Sequence, residues 1–247
     1  MEIVILTALG VGGATVLGAA IGMIFRHTSG RFCDGATSFA AGVMLAAAVV
    51  GLILPSLEYG GRLSVFVAVV GIFIGALCLD LFDRRLLRGR WASRLPSDAD
   101  AGLRRVVLFV TAIAIHNLPE GIAAGVGFGN QDIGRGLFIA TAIALQNIPE
   151  GMAVIVAMLG VGIRPRRTFL IAAFTGVVEI VGTFIGYFAV NLSSAVLPLA
   201  LAFAGGNMLY VIADEMIPEV HSGGENTSAT YLILAGFCLM LIINELL

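Results

Sequence analysis

Eight apolar stretches, at about 3–25, 35–57, 64–82, 106–128, 136–159, 168–190, 195–217 and 230–247, take up nearly the whole chain. A helix needs roughly 20 predominantly apolar residues to cross the hydrocarbon core of a bilayer, and in that core each backbone polar group must be satisfied within its own segment. The runs therefore predict eight transmembrane helices, with short connections except at 83–105 and 218–229. No segment is left over for a soluble unit, so 1–247 reads as a single all-α integral membrane domain with 83–105 as an arginine-rich loop inside it. Residues 3–25 are too long for the core of a secretory leader and lack a basic start, so they count as a span. Charged residues make up only 12% of the chain, against about 25% in soluble domains. The net charge of −2 argues against a nucleic-acid partner, since phosphate binding needs a basic surface. Cys33, Cys78 and Cys238 are too dispersed for a metal or disulfide motif and read as small packing residues.

Orientation follows from the basic residues, all 14 of which are arginines. Arg26 and Arg31 follow span 1, a run from Arg84 to Arg105 separates spans 3 and 4, and Arg164, Arg166 and Arg167 separate spans 5 and 6. Only Arg62 and Arg135 fall at the opposite end. Short arginine-rich loops stay cytoplasmic, so both termini are expected outside. Close helix approach uses small residues, and Gly18/Gly22, Gly71/Gly75, Gly121/Gly125 and Gly182/Gly186 stand at GxxxG spacing. Those faces permit a homodimer as well as internal packing.

Two segments repeat. LFVTAIAIHNLPEG (108–121) in span 4 aligns with LFIATAIALQNIPEG (137–151) in span 5, and GVMLAAAVVGLILPSLE (42–58) in span 2 echoes GNMLYVIADEMIPE (206–219) in span 7. Within each pair the two spans run in opposite directions. Inverted repeats of this kind characterise secondary transporters, whose binding site lies near the midplane where the repeats meet.

The span 4 and span 5 copies place polar groups where they are most costly. Residues three and four apart share a helix face, so His116 and Glu120 stack with Asn117 beside them, while Gln146, Asn147 and Glu150 repeat the arrangement. A mid-bilayer carboxylate costs at least about 2.5 kcal/mol and persists where it meets a partner. Every arginine lies at a span end or in a loop, so the countercharge must come from elsewhere. A metal cation supplies it, because imidazole and carboxylate are ordinary ligands for Zn²⁺ and the first-row divalent ions and amide oxygens complete a shell. Pro119 and Pro149 free the carbonyls of Ile115 and Leu145 and are expected to kink their helices. Glu179 in span 6 is a third mid-span carboxylate, and Met44 in span 2 offers a soft thioether that suits Zn²⁺ or Cd²⁺. Three carboxylates accommodate either one divalent ion or two. Glu58, near the outer end of span 2, is the candidate entrance residue. Asp214, Glu215 and Glu219 at the inner end of span 7, with Asp80 and Asp83 at that of span 3, are either interface residues or exit ligands.

At these residues the sequence resembles the ZIP (Zrt/Irt-like) family of divalent metal transporters, most closely its GufA-like bacterial branch. The resemblance covers eight spans, HNxPEG in span 4, QNxPEG in span 5, VExxG in span 6 and Gly-x-Met in span 2. It implies a multi-pass protein of the bacterial plasma membrane that takes Zn²⁺, and in many members Cd²⁺, Fe²⁺ or Mn²⁺, into the cytoplasm through a binuclear site between helices 2, 4, 5 and 6. Matched residue by residue, that site is Met44, His116, Asn117, Glu120, Gln146, Asn147, Glu150 and Glu179. Many members have His where this chain has Gln146, and some have Asp in place of Asn147, so the donor set here is poorer in basic and anionic ligands. The loop between spans 3 and 4 also lacks the histidines that many relatives carry there.

Two other classes compete. Intramembrane metalloproteases carry HExxH on one helix, but here Asn117 follows His116 and no second His is in reach. Di-iron carboxylate proteins pair Glu-x-x-His on two helices; this chain reverses the order and lacks one His. An enzyme is therefore not expected. A proton or ion channel using the same carboxylates is the remaining alternative.

Overall fold

The computed structural model describes residues 1–24, 30–86, 101–128, 131–192, 194–221 and 227–246, and those residues are helical apart from short turns. The helices are α1 (Glu2–Ile24), α2 (Gly30–Ala46), α3 (Leu54–Tyr59), α4 (Ser64–Leu86), α5 (Ala101–Val126), α6 (Ile133–Gly160), α7 (Pro165–Leu192), α8 (Leu197–Val211), α9 (Ile217–His221) and α10 (Thr227–Leu246). Span 2 is α2 and α3 joined by a π-helical segment, Ala47–Ile53, and span 7 is α8 and α9 joined by another, Ile212–Met216. Seven stretches among the described residues are long and apolar enough to cross a membrane. The eighth, α5, has 26 residues and packs inside the bundle against α7, α8 and α6. The expected loop 83–105 is shorter than the sequence indicates, because α4 continues to Leu86 and α5 begins at Ala101; residues 87–100 lie outside the described residues.

The inverted repeats expected from the sequence reappear in the packing. Exchanging span 1 with 6, 2 with 7, 3 with 8 and 4 with 5 maps the main helix contacts onto one another: α1–α6 onto α7–α5, α4–α8 onto α10–α2, and α2–α6 onto α8–α5. The two π-helical segments fall in corresponding positions. Gly42-Val43-Met44-Leu45 and Gly206-Asn207-Met208-Leu209 each precede a π segment, which Pro55 or Pro218 then follows. π segments of this kind recur at functional sites.

Two blocks emerge. An inner block comprises α1, α5, α6 and α7; an outer block comprises spans 2, 3, 7 and 8, in which α2 packs on α10 and α4 on α8. Glycines set the distances within each. A Cβ on Gly176 would collide with the backbone oxygen of Gly12, one on Gly121 with the backbone of Glu179, one on Gly186 with that of Ile122, and one on Gly151 with that of Thr15. In the outer block Gly75 faces the backbone of Phe203, Gly206 that of Ile72, and Gly42 that of Ile233. Among the described residues, each glycine that meets the backbone of another span does so within its own block. All four GxxxG pairs are used in this way inside the chain. The seam between the blocks is different in kind, built from Ala46, Ala47, Ala48, Ala123, Ala124, Ala140, Ala142 and Ala204 with Leu52, Phe138, Ile139, Ile143 and Leu201. Cys78 and Cys238, read from the sequence as small packing residues, are free and exposed on the bundle surface. Cys33 has a side chain outside the described set.

Overpacking a close crossing costs typically about 1–3 kcal/mol. Gly176→Val is therefore expected to lower the melting temperature of the detergent-solubilised protein by several degrees. Gly13→Ala, whose new methyl group meets nothing within 4 Å, is expected to leave it unchanged or raise it slightly, as scanning calorimetry or a fluorescence melt would show.

Candidate metal site

The i,i+4 spacing in α5 and α6 acts as the sequence predicts. Both helices run through Pro119 and Pro149 without ending. His116 with Glu120, and Gln146 with Glu150, face one cavity of about 80 Å³, which Met44 of α2 and Glu215 of the span 7 π segment also line. A water needs about 10–15 Å³ of such space, so the cavity has room for a cation with part of its hydration shell. Its other walls include Thr37, Ala40, Ile113, Ala153, Val211 and Met216. These lie toward the arginine-rich end of the bundle. Toward the opposite end, Ala47, Ala48, Leu52, Ala124, Phe138, Ile139 and Leu201 are buried and close the path with an apolar layer.

Several polar atoms at the cavity and beside it are underused for buried groups. Glu120 Oε2, Gln146 Oε1, Glu150 Oε1 and Asn117 Oδ1 are buried without a hydrogen-bond partner. His116 Nε2 lies 3.0 Å from Glu215 Oε1, an ion-pair distance, but is not aligned as a hydrogen bond. Buried polar atoms are nearly always satisfied, so a cluster of unpartnered ones calls for an explanation. The cluster consists of carboxylate oxygens, amide oxygens and an imidazole nitrogen, with the Met44 thioether at the same cavity. All are donors to divalent cations. Among the described residues no three His, Cys, Asp or Glu side chains converge tightly enough to hold an ion alone, which leaves part of any shell to the amides, the thioether and water.

Asn117, Asn147 and Glu179 behave differently from the rest of the predicted set. An asparagine one position after His116 or Gln146 is rotated about 100° around its helix, away from the cavity-facing pair. Asn117 Nδ2 donates a short hydrogen bond to Glu179 Oε1, and Asn147 Nδ2 donates to Glu179 Oε2 at 2.6 Å and to the Val11 carbonyl at 3.2 Å. Thr15 Oγ1 of α1 adds a bond to Glu179 Oε1 at 2.9 Å, and Gln146 Nε2 reaches Asn147 Oδ1 at 3.3 Å. Glu179 is fully buried, and three donors from three helices share its carboxylate. Gln146, which lines the cavity, thereby joins this network to it. Thr15 was missed at the sequence level, since a lone threonine in an apolar span carries no motif.

The entrance and exit candidates divide in a similar way. Glu58 stands at the end opposite the cavity opening, with its Oε2 3.6 Å from Arg135 Nη2. At the arginine-rich end, Asp80 pairs with Arg84 at 2.7 Å, and the Tyr210 hydroxyl donates to Asp80 at 3.1 Å and to Asp214 at 3.4 Å. Among the described residues of this group only Glu215 lines the cavity. The side chains of Asp83 and Glu219 lie outside the described residues.

The chain is a helical membrane protein with carboxylate, amide, imidazole and thioether groups gathered at one central cavity. Residues 92–244 match the family model of the ZIP zinc transporter. The chain is 37% identical over 199 residues to the zinc transporter GufA of Myxococcus xanthus, covering 78% of each chain. It is 36% identical over 248 residues to the zinc transporter ZIPB of Bordetella bronchiseptica, covering 95% of this chain and 78% of the relative. It is 31% identical over 321 residues to human zinc transporter ZIP11, covering 94% and 93%. The chain belongs to the ZIP zinc transporter family, whose members are transporters and not enzymes.

Losing one hydrogen bond to a buried charged group costs about 1.5–3 kcal/mol. Thr15→Val should therefore destabilise the protein by about 1.5–3 kcal/mol in a detergent unfolding titration, and Thr15→Ser should restore most of the loss, although Thr15 is not among the residues lining the central cavity.

Proposed function

We propose that the protein carries divalent metal, Zn²⁺ first, from the outside into the cytoplasm through the cavity between spans 2, 4, 5 and 7. The observation that carries this reading is the group of unpartnered donors from α5 and α6 around one cavity, whose lining includes no arginine among the described residues. Relatives named as zinc transporters support zinc as the principal substrate; Cd²⁺, Fe²⁺ and Mn²⁺ share enough ligand chemistry to compete. Direction is supported by the arginine-rich loops, which belong on the cytoplasmic side and leave both termini outside. On that assignment the cavity opens inward and the apolar layer closes the outside.

His116, Glu120, Gln146, Glu150 and Met44 form the first ion's ligand set, with Glu215 on its way out. A second ion would need the oxygens that Glu179 gives to Asn117, Asn147 and Thr15, so it requires that network to open. The first position is thus preformed and the second conditional. This makes the two positions unequal, and His116 opposite Gln146 makes them more so. Alternating access then needs the blocks to shift around the site. The alanine seam supports such a shift, because it holds no backbone-to-backbone glycine contact among the described residues.

Glu150→Ala is expected to abolish saturable Zn²⁺ uptake into proteoliposomes while the protein elutes and melts as the parent does. Uptake at the parental rate would remove Glu150 from the site. Flux that neither saturates nor depends steeply on temperature would favour the channel reading.

A further inference from the structure

At the end of the bundle away from the metal cavity lies a second cavity of about 340 Å³, with Gly51, Pro55, Glu58, Asp132, Arg135 and Phe138 among its walls. Arg135 is the conspicuous group there. Its side chain is only 18% exposed, and it is held from several directions. The backbone N–H donates to Asp132 Oδ1 at 3.0 Å, since Asp132 is the N-cap of α6. The guanidinium lies 3.5 Å from Asp132 Oδ2 through Nη1 and 3.6 Å from Glu58 Oε2 through Nη2. Nη1 donates to the Tyr59 hydroxyl at 2.8 Å, and Cζ stands 5.1 Å from the Tyr59 ring centroid. A planar guanidinium matches such a mixture of carboxylate, hydroxyl and ring partners in a way an ammonium does not.

The position of these partners matters as much as their number. Asp132 and Arg135 belong to the inner block, whereas Glu58 and Tyr59 belong to α3 of the outer block. Arg135 therefore spans the seam, directly above the apolar layer in which Gly51 faces Phe138 and Ile139. His116–Glu215 crosses the same seam on the cavity side. We propose that Arg135 is the latch of the outer mouth: its bridge from Asp132 to Glu58 and Tyr59 holds the two blocks together at the closed end, and the bridge must break for metal to enter there. Its guanidinium occupies the carboxylates that an arriving divalent cation would meet first, so cation and latch compete for the same oxygens. The proposal rests on the transport reading above, but its test needs no transport.

The test uses the full chain with Cys33, Cys78 and Cys238 replaced by serine, reconstituted in vesicles and treated with a membrane-impermeant thiol reagent. Ala48→Cys, in the sealing layer, reports opening at the Arg135 end. Thr37→Cys reports access to the metal cavity from the arginine-rich end. Arg135→Gln is expected to speed labelling at position 48 about threefold to fivefold, the range for loss of a partly exposed ion pair, and to slow labelling at position 37. Glu58→Gln should do the same, and the double variant should add little to either single change. Parental labelling at position 48 in Arg135→Gln overturns the latch. So does a rise at both reporters, which marks simple loosening, and so do additive effects of the two substitutions. Loss of Zn²⁺ uptake without a change in labelling leaves the transport reading standing and removes the latch alone.

Discussion

The Glu179 carboxylate is the contact on which the centre of this protein depends. It is buried in the middle of the bundle, and the donors that stabilise it come from α1, α5 and α6 while it stands on α7. One side chain thereby ties all four helices of the inner block to a single point. The glycine crossings make this possible: Gly121 lies against the backbone of Glu179, and Gly151 against that of Thr15. Bulkier residues at these crossings would separate the donors from the acceptor. Once Asn117 and Asn147 are fixed by Glu179, the rotation of α5 and α6 is fixed too. His116, Glu120, Gln146 and Glu150 then have no direction left to face but the cavity.

The inverted architecture gives the site its shape, and departures from symmetry give it a direction. Met44 of span 2 and its counterpart Met208 are both buried in the same apolar cluster, but of the two it is Met44 that also lines the cavity. Span 7 brings Glu215 from its π segment; the matching segment of span 2, AAVVGLI, carries no charge. The two sides of the cavity are therefore chemically unlike, soft and neutral on one and anionic on the other.

Much of this was legible in the sequence. Run lengths specify the spans, and the NxPEG pair the helices that face each other. Spacing of three and four places His116 with Glu120 and Gln146 with Glu150. What spacing does not supply is the neighbour on the next face. Asn117 and Asn147 adjoin the cavity-lining His116 and Gln146 in sequence, yet a rotation of one residue brings their amide nitrogens to Glu179. The π segments were equally hidden, since an extra residue per turn leaves no mark on an apolar run, although the repeated Gly-x-Met-Leu and the later proline bracket both of them. Arg135 entered only as one of two arginines on the minority side; its bridge depends on where α3 ends, which composition does not reveal.

The contrast between glycine crossings and alanine seam has a mechanical meaning. Where backbones interlock across missing Cβ atoms, sliding would drive main-chain atoms into one another, so each block resists shear as a rigid body. Where the facing atoms are methyl groups, a small displacement exchanges one shallow van der Waals contact for another of similar depth. The chain is thus stiff in two parts and compliant along one surface, and the central cavity with its unpartnered polar atoms lies along that surface.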